Sequence, residues 1–433
     1  MGGHSNSIRV VVTGLGVATS LGLHVEPMWN AILEGRSGVG YLRQFDSTTF
    51  PVRIGSEIDV ALFPRDERHE ALLAANRSLR FASWAAAQAW KDAGLDAGPD
   101  PKPGAAPLLP GRAGVCAGAG GFPAMESRIA ARPLREDAAW DSAWLSEVLH
   151  ERPELLCQHQ LSTVSSLLTQ RFALRGPSVT VQGACTSGTQ AIGEAYALIR
   201  SGRADIMLAG GADSMMSMFC VAGFTLLGAL STHADPETAS RPFDLTRNGF
   251  VLGEGAAMVV LESLPSALAR GANIYAEVAG YGSSCDGYRF TDVHPDGTGA
   301  VRAMRKALAA AAWAPEQVDY INAHGTATPQ NDRVETMAVK AAFGDHACRL
   351  AISSTKSQLG HLICAAGAIE FVLTVLTLKT GTIPATINLH RADPECDLDY
   401  VPLEARRAPV RCALSNSFGF GGQNGSIAVR RWD

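Results

Sequence analysis

The sequence predicts an α/β fold of alternating strands and helices stacked in layers, on three observations. Short apolar and β-branched runs recur at residues 113–117, 178–183, 205–209, 256–261, 275–279, 318–322 and 350–353. Most are separated by stretches whose apolar residues follow helical spacing. Several end at small residues beside a cysteine or a histidine, and layered α/β folds gather their functional groups at strand ends of this kind.

Taken in order, Ile8-Arg-Val-Val-Val-Thr-Gly-Leu-Gly16 reads as a buried strand leading into a glycine turn. It is not a dinucleotide fingerprint, because the third glycine is not at the required spacing. Residues 92–112 are rich in Gly, Pro and Ala and read as a loop or insertion, free to vary in conformation. The run Val179-Thr-Val-Gln-Gly-Ala-Cys185 reads as a strand that breaks at a cysteine. Helical spacing follows as far as Arg200, with Ala191, Ile192, Tyr196 and Ile199 on one apolar side. Cys185 would then sit at a helix N-terminus, where orphan N–H groups and the helix dipole favour a thiolate and lower the pKa from about 8.5 toward 7. A buried structural cysteine is the competing reading.

Two later segments favour chemistry. Val318-Asp-Tyr-Ile-Asn-Ala-His324-Gly-Thr-Ala-Thr328 is a strand-like run that stops at a histidine. Ile352-Ser-Ser-Thr-Lys356-Ser-Gln-Leu-Gly-His361 leads into an Ala/Gly-rich helix pattern reaching Glu370. Near the end, Ser415-Asn-Ser-Phe-Gly-Phe420-Gly-Gly-Gln-Asn424 is a glycine-dense turn whose backbone can approach a ligand closely.

Composition sets the outer bounds. With 433 residues, 46% hydrophobic and 18% charged, the chain can bury a large core and is long enough for two structural units. No uninterrupted apolar run reaches spanning length, so no membrane span is expected. Residues 1–7 lack a secretory pattern, and Asn6 stands where a myristoylation motif needs Ser or Thr. Nine cysteines without a CxxC pair suggest reduced thiols and a cytoplasmic setting. A net charge of −5 argues against nucleic-acid binding, and an acidic partner would need a local basic patch.

The motifs GACTSG (183–188), NAHGTATP (322–329), STKSQLGH (354–361) and NSFGFGGQN (416–424) stand in the order and at the separations of a known family. By them, the chain resembles the β-ketoacyl-acyl-carrier-protein synthases, condensing enzymes of fatty-acid and type II polyketide synthesis, from residue 9 to residue 430. Ala209-Gly-Gly-Ala-Asp213, Leu230-Ser-Thr232, Ser240-Arg-Pro-Phe-Asp244 and Gly249-Phe-Val-Leu-Gly-Glu-Gly255 resemble the family as well. The resemblance implies a thiolase-like α-β-α-β-α fold of two similar halves, divided here as 1–264, carrying the cysteine, and 265–433, carrying both histidines. No sequence repeat between the halves is visible.

The resemblance also implies the chemistry. Cys185 would take an acyl group from a carrier thioester, with the backbone N–H groups of Cys185 and Phe420 as oxyanion hole and Phe420 as gate. His324 and His361 would hold the enolate left when malonyl carrier loses CO₂, provided each ring is protonated on Nε2. Lys356 and Glu370 would form a pair supporting the histidines, or a structural ion pair only. Thr326 and Thr328 resemble the hydroxyls that bind the phosphopantetheine arm, and a spacing of two places both on one side of an extended segment. Ala119 and Phe224 would border the acyl pocket, with a close-packed backbone position as the alternative for Ala119. No metal or organic cofactor is implied. The implied partners are acyl carrier protein, acyl and malonyl thioesters, and a second copy paired through 178–182, or else a ketosynthase-like chain in a heterodimer.

Other readings are weaker. A thiolase needs a second cysteine in the C-terminal glycine loop, and 419–424 has none. A non-catalytic chain-length partner usually lacks the nucleophile, and a zinc site usually brings ligands in close pairs. Some family members carry a basic carrier-docking residue where this chain has Gly228, which leaves Arg77 and Arg80 as docking candidates. Gln423 replaces the family's usual threonine. These departures bear on substrate and leave fatty-acid and specialised polyketide pathways both open.

Overall fold

The computed structural model describes residues 8–66, 68–96, 110–120, 150 and 160–433. Among the described residues the main sheet has ten strands: β1 (Val10–Ala18), β2 (Ala113–Ala119), β3 (Ser178–Val181), β4 (Ile206–Asp213), β5 (Gly255–Ser263), β6 (Ala276–Cys285), β7 (Tyr320–Asn322), β8 (Ala351–Ser353), β9 (Cys412–Gly419) and β10 (Gln423–Arg431). Helices relevant to the site are α1 (Arg77–Asp92), α2 (Thr163–Arg171), α3 (Ser187–Arg200), α4 (Met218–Leu226), α5 (Thr298–Ala311), α6 (Pro329–Phe343) and α7 (Ala366–Thr380).

Strand order across the sheet is β8-β7-β9-β10-β6-β1-β5-β4-β2-β3. Read outward from the centre, one half runs β1-β5-β4-β2-β3 and the other β6-β10-β9-β7-β8. The pairings also correspond: antiparallel, antiparallel, parallel, parallel in each half. The halves meet where Val10, Val11 and Val12 pair antiparallel with Val278, Glu277 and Ala276. The two-fold repetition invisible in the sequence is therefore explicit in the topology. The short helix Leu264–Ala269 leads from one half to the other.

Side-chain alternation builds the layers. Along β5, Ala257, Val259 and Leu261 enter a central core, while Ala256, Met258 and Val260 enter an outer one. The period of two sends alternate residues to opposite faces. α3 and α7 fill the central layer, α1 and α2 cover one outer face, and α5 and α6 cover the other. Because α7 is packed on all sides, its residues from Ala366 to Leu378 are buried, as expected of a helix apolar all round. Ile363–Thr380 is the one segment among the described residues long and apolar enough to cross a membrane, and 89% of it is buried in the fold.

One local expectation needs correction. Gly14 and Gly16 do not form a turn, since β1 continues through them to Ala18. A Cβ on Gly14 would lie 2.1 Å from the carbonyl oxygen of Ala89, so glycine here lets α1 pack directly on the strand. The expected loop at 92–112 begins where α1 ends, and residues 97–109 lie outside the described residues.

Candidate active site

The two halves deliver their functional groups from corresponding positions. After β3 the chain makes one 3-10 turn, Ala184–Thr186, and enters α3; after β8 and a longer excursion it makes the turn Ile363–Ala365 and enters α7. Ala184 (φ +49°) and Ile363 (φ +46°) both adopt the left-handed conformation at the start of these turns. An L-residue there is uncommon, and the strain recurs at the site in both halves. Cys185 and Cys364 consequently occupy matching places. α3 and α7 approach so closely that a Cβ on Gly188 would lie 2.8 Å from the backbone nitrogen of Ala368.

Cys185, His324 and His361 are all buried, and Cys185 Sγ and one ring nitrogen of each histidine lie within 4.8 Å of one another. The rings of His324 and His361 meet edge to face at 5.3 Å. Phe250 stands edge-on to His361 at 5.1 Å, and Phe418 to His324 at 5.9 Å. These groups sit in a cavity of about 740 Å³ whose wall also includes Met215, Phe224, Thr326, Thr328, Phe420 and Gln423.

Hydrogen bonds decide the tautomers. The backbone N–H of Ile363 donates to His361 Nδ1 at 3.2 Å. Lys356 Nζ lies 3.3 Å from His324 Nδ1, and an ammonium can only donate. Each Nδ1 is therefore an acceptor, and each neutral ring carries its proton on Nε2. Burial first, then Lys356, and for His324 also His361, hold both pKa values well below the usual imidazole value. The pair presents two neutral N–H donors. With an ammonium behind one ring where a metal site would place a carboxylate, the donor set suits an anionic oxygen better than a cation.

Lys356 is buried and donates to the carbonyl oxygen of His324 at 2.6 Å and to Glu370 Oε1. Burial pushes the Glu370 carboxyl up to about 7, against the pull of Lys356. Both expected partners of the pair thus meet behind His324.

Cys185 itself departs from expectation. Burial pushes its thiol up to about 11; Lys356, the backbone N–H of Phe420 and its own N–H oppose that shift without overcoming it. The helix N-terminus alone does not decide the charge, because removing the sulfur from water costs more than the helix end returns. The Phe420 N–H and the Cys185 N–H do converge on the sulfur. The Gly419 backbone makes this possible, since a Cβ there would lie 3.1 Å from the Cys185 nitrogen.

Thr326 and Thr328 share one side, their hydroxyls 2.9 Å apart, and both line the cavity. Thr328 also caps α6. Phe224 lines the cavity wall, but Ala119 is not among the lining residues. Ala119 packs in the outer core beyond the sheet, and the adjacent Gly120 faces the cavity instead. Strand alternation turns Ala119 to that outer face. Arg77 and Arg80 are not free docking cations: Arg77 pairs with the buried Glu254 and donates to the Ile58 carbonyl at 2.7 Å, and Arg80 pairs with Glu70 at 2.8 Å.

Three carboxylates escaped the sequence reading. Glu335 accepts from the backbone N–H of His324 at 2.9 Å and of Gly325 at 2.8 Å, and Asp332 accepts from Thr326 N at 3.0 Å. Both project from α6 and clamp the loop that carries His324. Their spacing of three, on a helix face shared with Ala338 and Val339, was the available signal. Asp213, at the end of β4, accepts from Cys364 N at 3.0 Å, and burial pushes its carboxyl up to about 6.

The description "Beta-ketoacyl synthase, N-terminal domain" matches residues 7–267, and "Beta-ketoacyl synthase, C-terminal domain" matches residues 275–390. The chain is 42% identical over 433 residues to 3-oxoacyl-[acyl-carrier-protein] synthase 2 of Coxiella burnetii, covering 98% of each chain. Among solved structures it resembles a type II polyketide ketosynthase in complex with its acyl-carrier protein, at a TM-score of 0.85 and 33% identity, over 99% of this chain and 100% of that one. It also resembles the ishigamide ketosynthase/chain length factor, at a TM-score of 0.83 and 33% identity, over 99% and 100%.

Proposed function

The chain belongs to the beta-ketoacyl synthase family, and from that premise we propose that it catalyses decarboxylative condensation of an acyl thioester with malonyl carrier in fatty-acid or polyketide elongation. The observation that carries the mechanism is the meeting of one sulfur and two neutral imidazoles, with two backbone N–H groups aimed at the sulfur.

Cys185 sulfur attacks the thioester carbonyl of the acyl donor, and the carrier thiol leaves with the proton the cysteine gives up. The Cys185 and Phe420 N–H groups hold the oxygen of the tetrahedral intermediate. Malonyl carrier then enters with its arm along Thr326 and Thr328. Its C–C bond to the carboxylate breaks, CO₂ departs, and the electron pair becomes an enolate whose oxygen accepts from the Nε2–H groups of His324 and His361. The enolate carbon attacks the acyl carbonyl on Cys185, and collapse expels the Cys185 thiolate, which takes one proton from water to regain its resting thiol, and releases the β-ketoacyl carrier. Placing both carbons in one dry cavity lowers the barrier by several kcal/mol. Atoms and electrons balance without a metal or organic cofactor.

Acyl carrier protein is the proposed donor and acceptor, and the reaction is assigned to a cytoplasmic setting in which the cysteines stay reduced. Pairing of two copies along β3 is the proposed assembly. The likeness to a ketosynthase/chain length factor favours a heterodimer as the second reading. Incubation with an acyl carrier thioester, followed by intact mass measurement, should add one acyl group to the wild type and none to Cys185→Ala. Acylation of Cys185→Ala would overturn the assignment.

A further inference from the structure

Among the described residues, the lining of the cavity that holds Cys185 is almost free of charge. Apart from the two neutral histidines, Asp292 is the one ionisable acid or base among its described lining residues other than the two cysteines, and no lysine or arginine is among those described residues. Leu227 and Phe290 line the cavity while 55% and 90% exposed, which places them at its mouth. Leu226, the last residue of α4, stands beside Leu227 and is 89% exposed. Gly228 follows and contributes no side chain. Arg289, next to Phe290, pairs with Asp292 at 3.1 Å, so the two charges there offset each other.

We infer that Leu226, Leu227 and Phe290 form a docking surface that receives the carrier through apolar contact in place of an ion-paired one. The inference rests on the function proposed above: a thioester tethered to a carrier reaches the buried Cys185 only if the carrier sits at this mouth. The occupant is therefore a carrier helix that offers apolar side chains beside its pantetheine attachment point. Large apolar residues grouped at one opening mark such interaction sites, whereas singly scattered ones do not. The arginines available from the sequence reading are committed to Glu254 and Glu70.

The test compares wild type, Leu226→Ser and Leu226→Lys in steady-state condensation, with the acyl and malonyl groups both supplied either on acyl carrier protein or on free pantetheine. Leu226 does not line the described cavity. Both variants should raise KM for the carrier substrate about five- to tenfold, with kcat and the pantetheine reaction unchanged. Wild-type KM for the carrier should change less than about twofold between about 0.05 and 0.3 M salt. A lower KM in Leu226→Lys, an unchanged KM in both variants, or a KM that climbs steeply with salt would each overturn the apolar dock. If the wild type condenses neither substrate, the proposed function fails, and the dock fails with it. If pantetheine thioester is condensed normally and the variants match wild type on the carrier, the dock alone is refuted.

Discussion

Lys356 Nζ lies 3.3 Å from His324 Nδ1 and 2.6 Å from the carbonyl oxygen of the same residue. One ammonium thus holds both the ring and the backbone of His324. Because it donates to Nδ1, it places the ring proton on Nε2, and its charge disfavours a second ring proton.

Lys356→Met should therefore damage more than an ion pair. It leaves Glu370 buried without its cation, and a carboxyl already pushed up to about 7 will protonate, which limits the loss to about 3 kcal/mol or less. Condensation should fall about 10²-fold while self-acylation persists. The double variant Lys356→Met with Glu370→Leu should regain stability in urea unfolding without regaining condensation. Wild-type condensation by the double variant would reduce the pair to a structural role.

Replacing His324 or His361 by Ala removes one of the two N–H donors proposed to hold the enolate. Malonyl decarboxylation should drop about 10²-fold in either variant, with acylation of Cys185 kept within about tenfold. Since both rings are neutral well below pH 6.5, wild-type decarboxylation should show no loss as pH rises through the ordinary histidine range. Loss of acylation with decarboxylation intact would contradict these roles.

The resting Cys185 thiol, raised to about 11, is protonated at neutral pH. Far below its pKa, the thiolate fraction grows about tenfold per pH unit, so alkylation by iodoacetamide should rise at that rate from about pH 6 to 9. A plateau near pH 7 would mean that the helix end outweighs burial.

Among the described strands, β3 closes one edge of the sheet, with Ser178 exposed and Val179, Thr180 and Val181 half-buried. An open edge of this composition pairs readily with another. Light scattering at micromolar concentration should give twice the chain mass, with Thr180→Pro weakening the assembly. A monomer would refute pairing, and a requirement for a second, different chain would establish the heterodimer.

Much of the site was legible along the chain because its groups are local to strand ends. Cys185 follows a β-branched run, His324 follows another, and the helix after Cys185 buries the Ala191, Ile192, Tyr196 and Ile199 side that its spacing marked. The family motifs supplied Lys356 with Glu370, and Thr326 with Thr328. By contrast, Glu335 reaches the backbone of His324 from the next helix, and its spacing of three from Asp332 marks a shared helix face but not the backbone it clamps.

By itself, then, the sequence determined the alternating α/β class, the three side chains that meet in the cavity and the strand ends that carry them, since periodicity and turn residues act over a few positions. Tertiary structure decided the rest. Glu254 captures Arg77 from 177 residues away, α1 packs on the glycines of β1 and keeps them in the strand, and alternation turns Ala119 away from the cavity. Burial protonates Cys185 and keeps both histidines neutral. Pairing and desolvation depend on what distant segments bring to a point, and for these groups they outweigh the local signals.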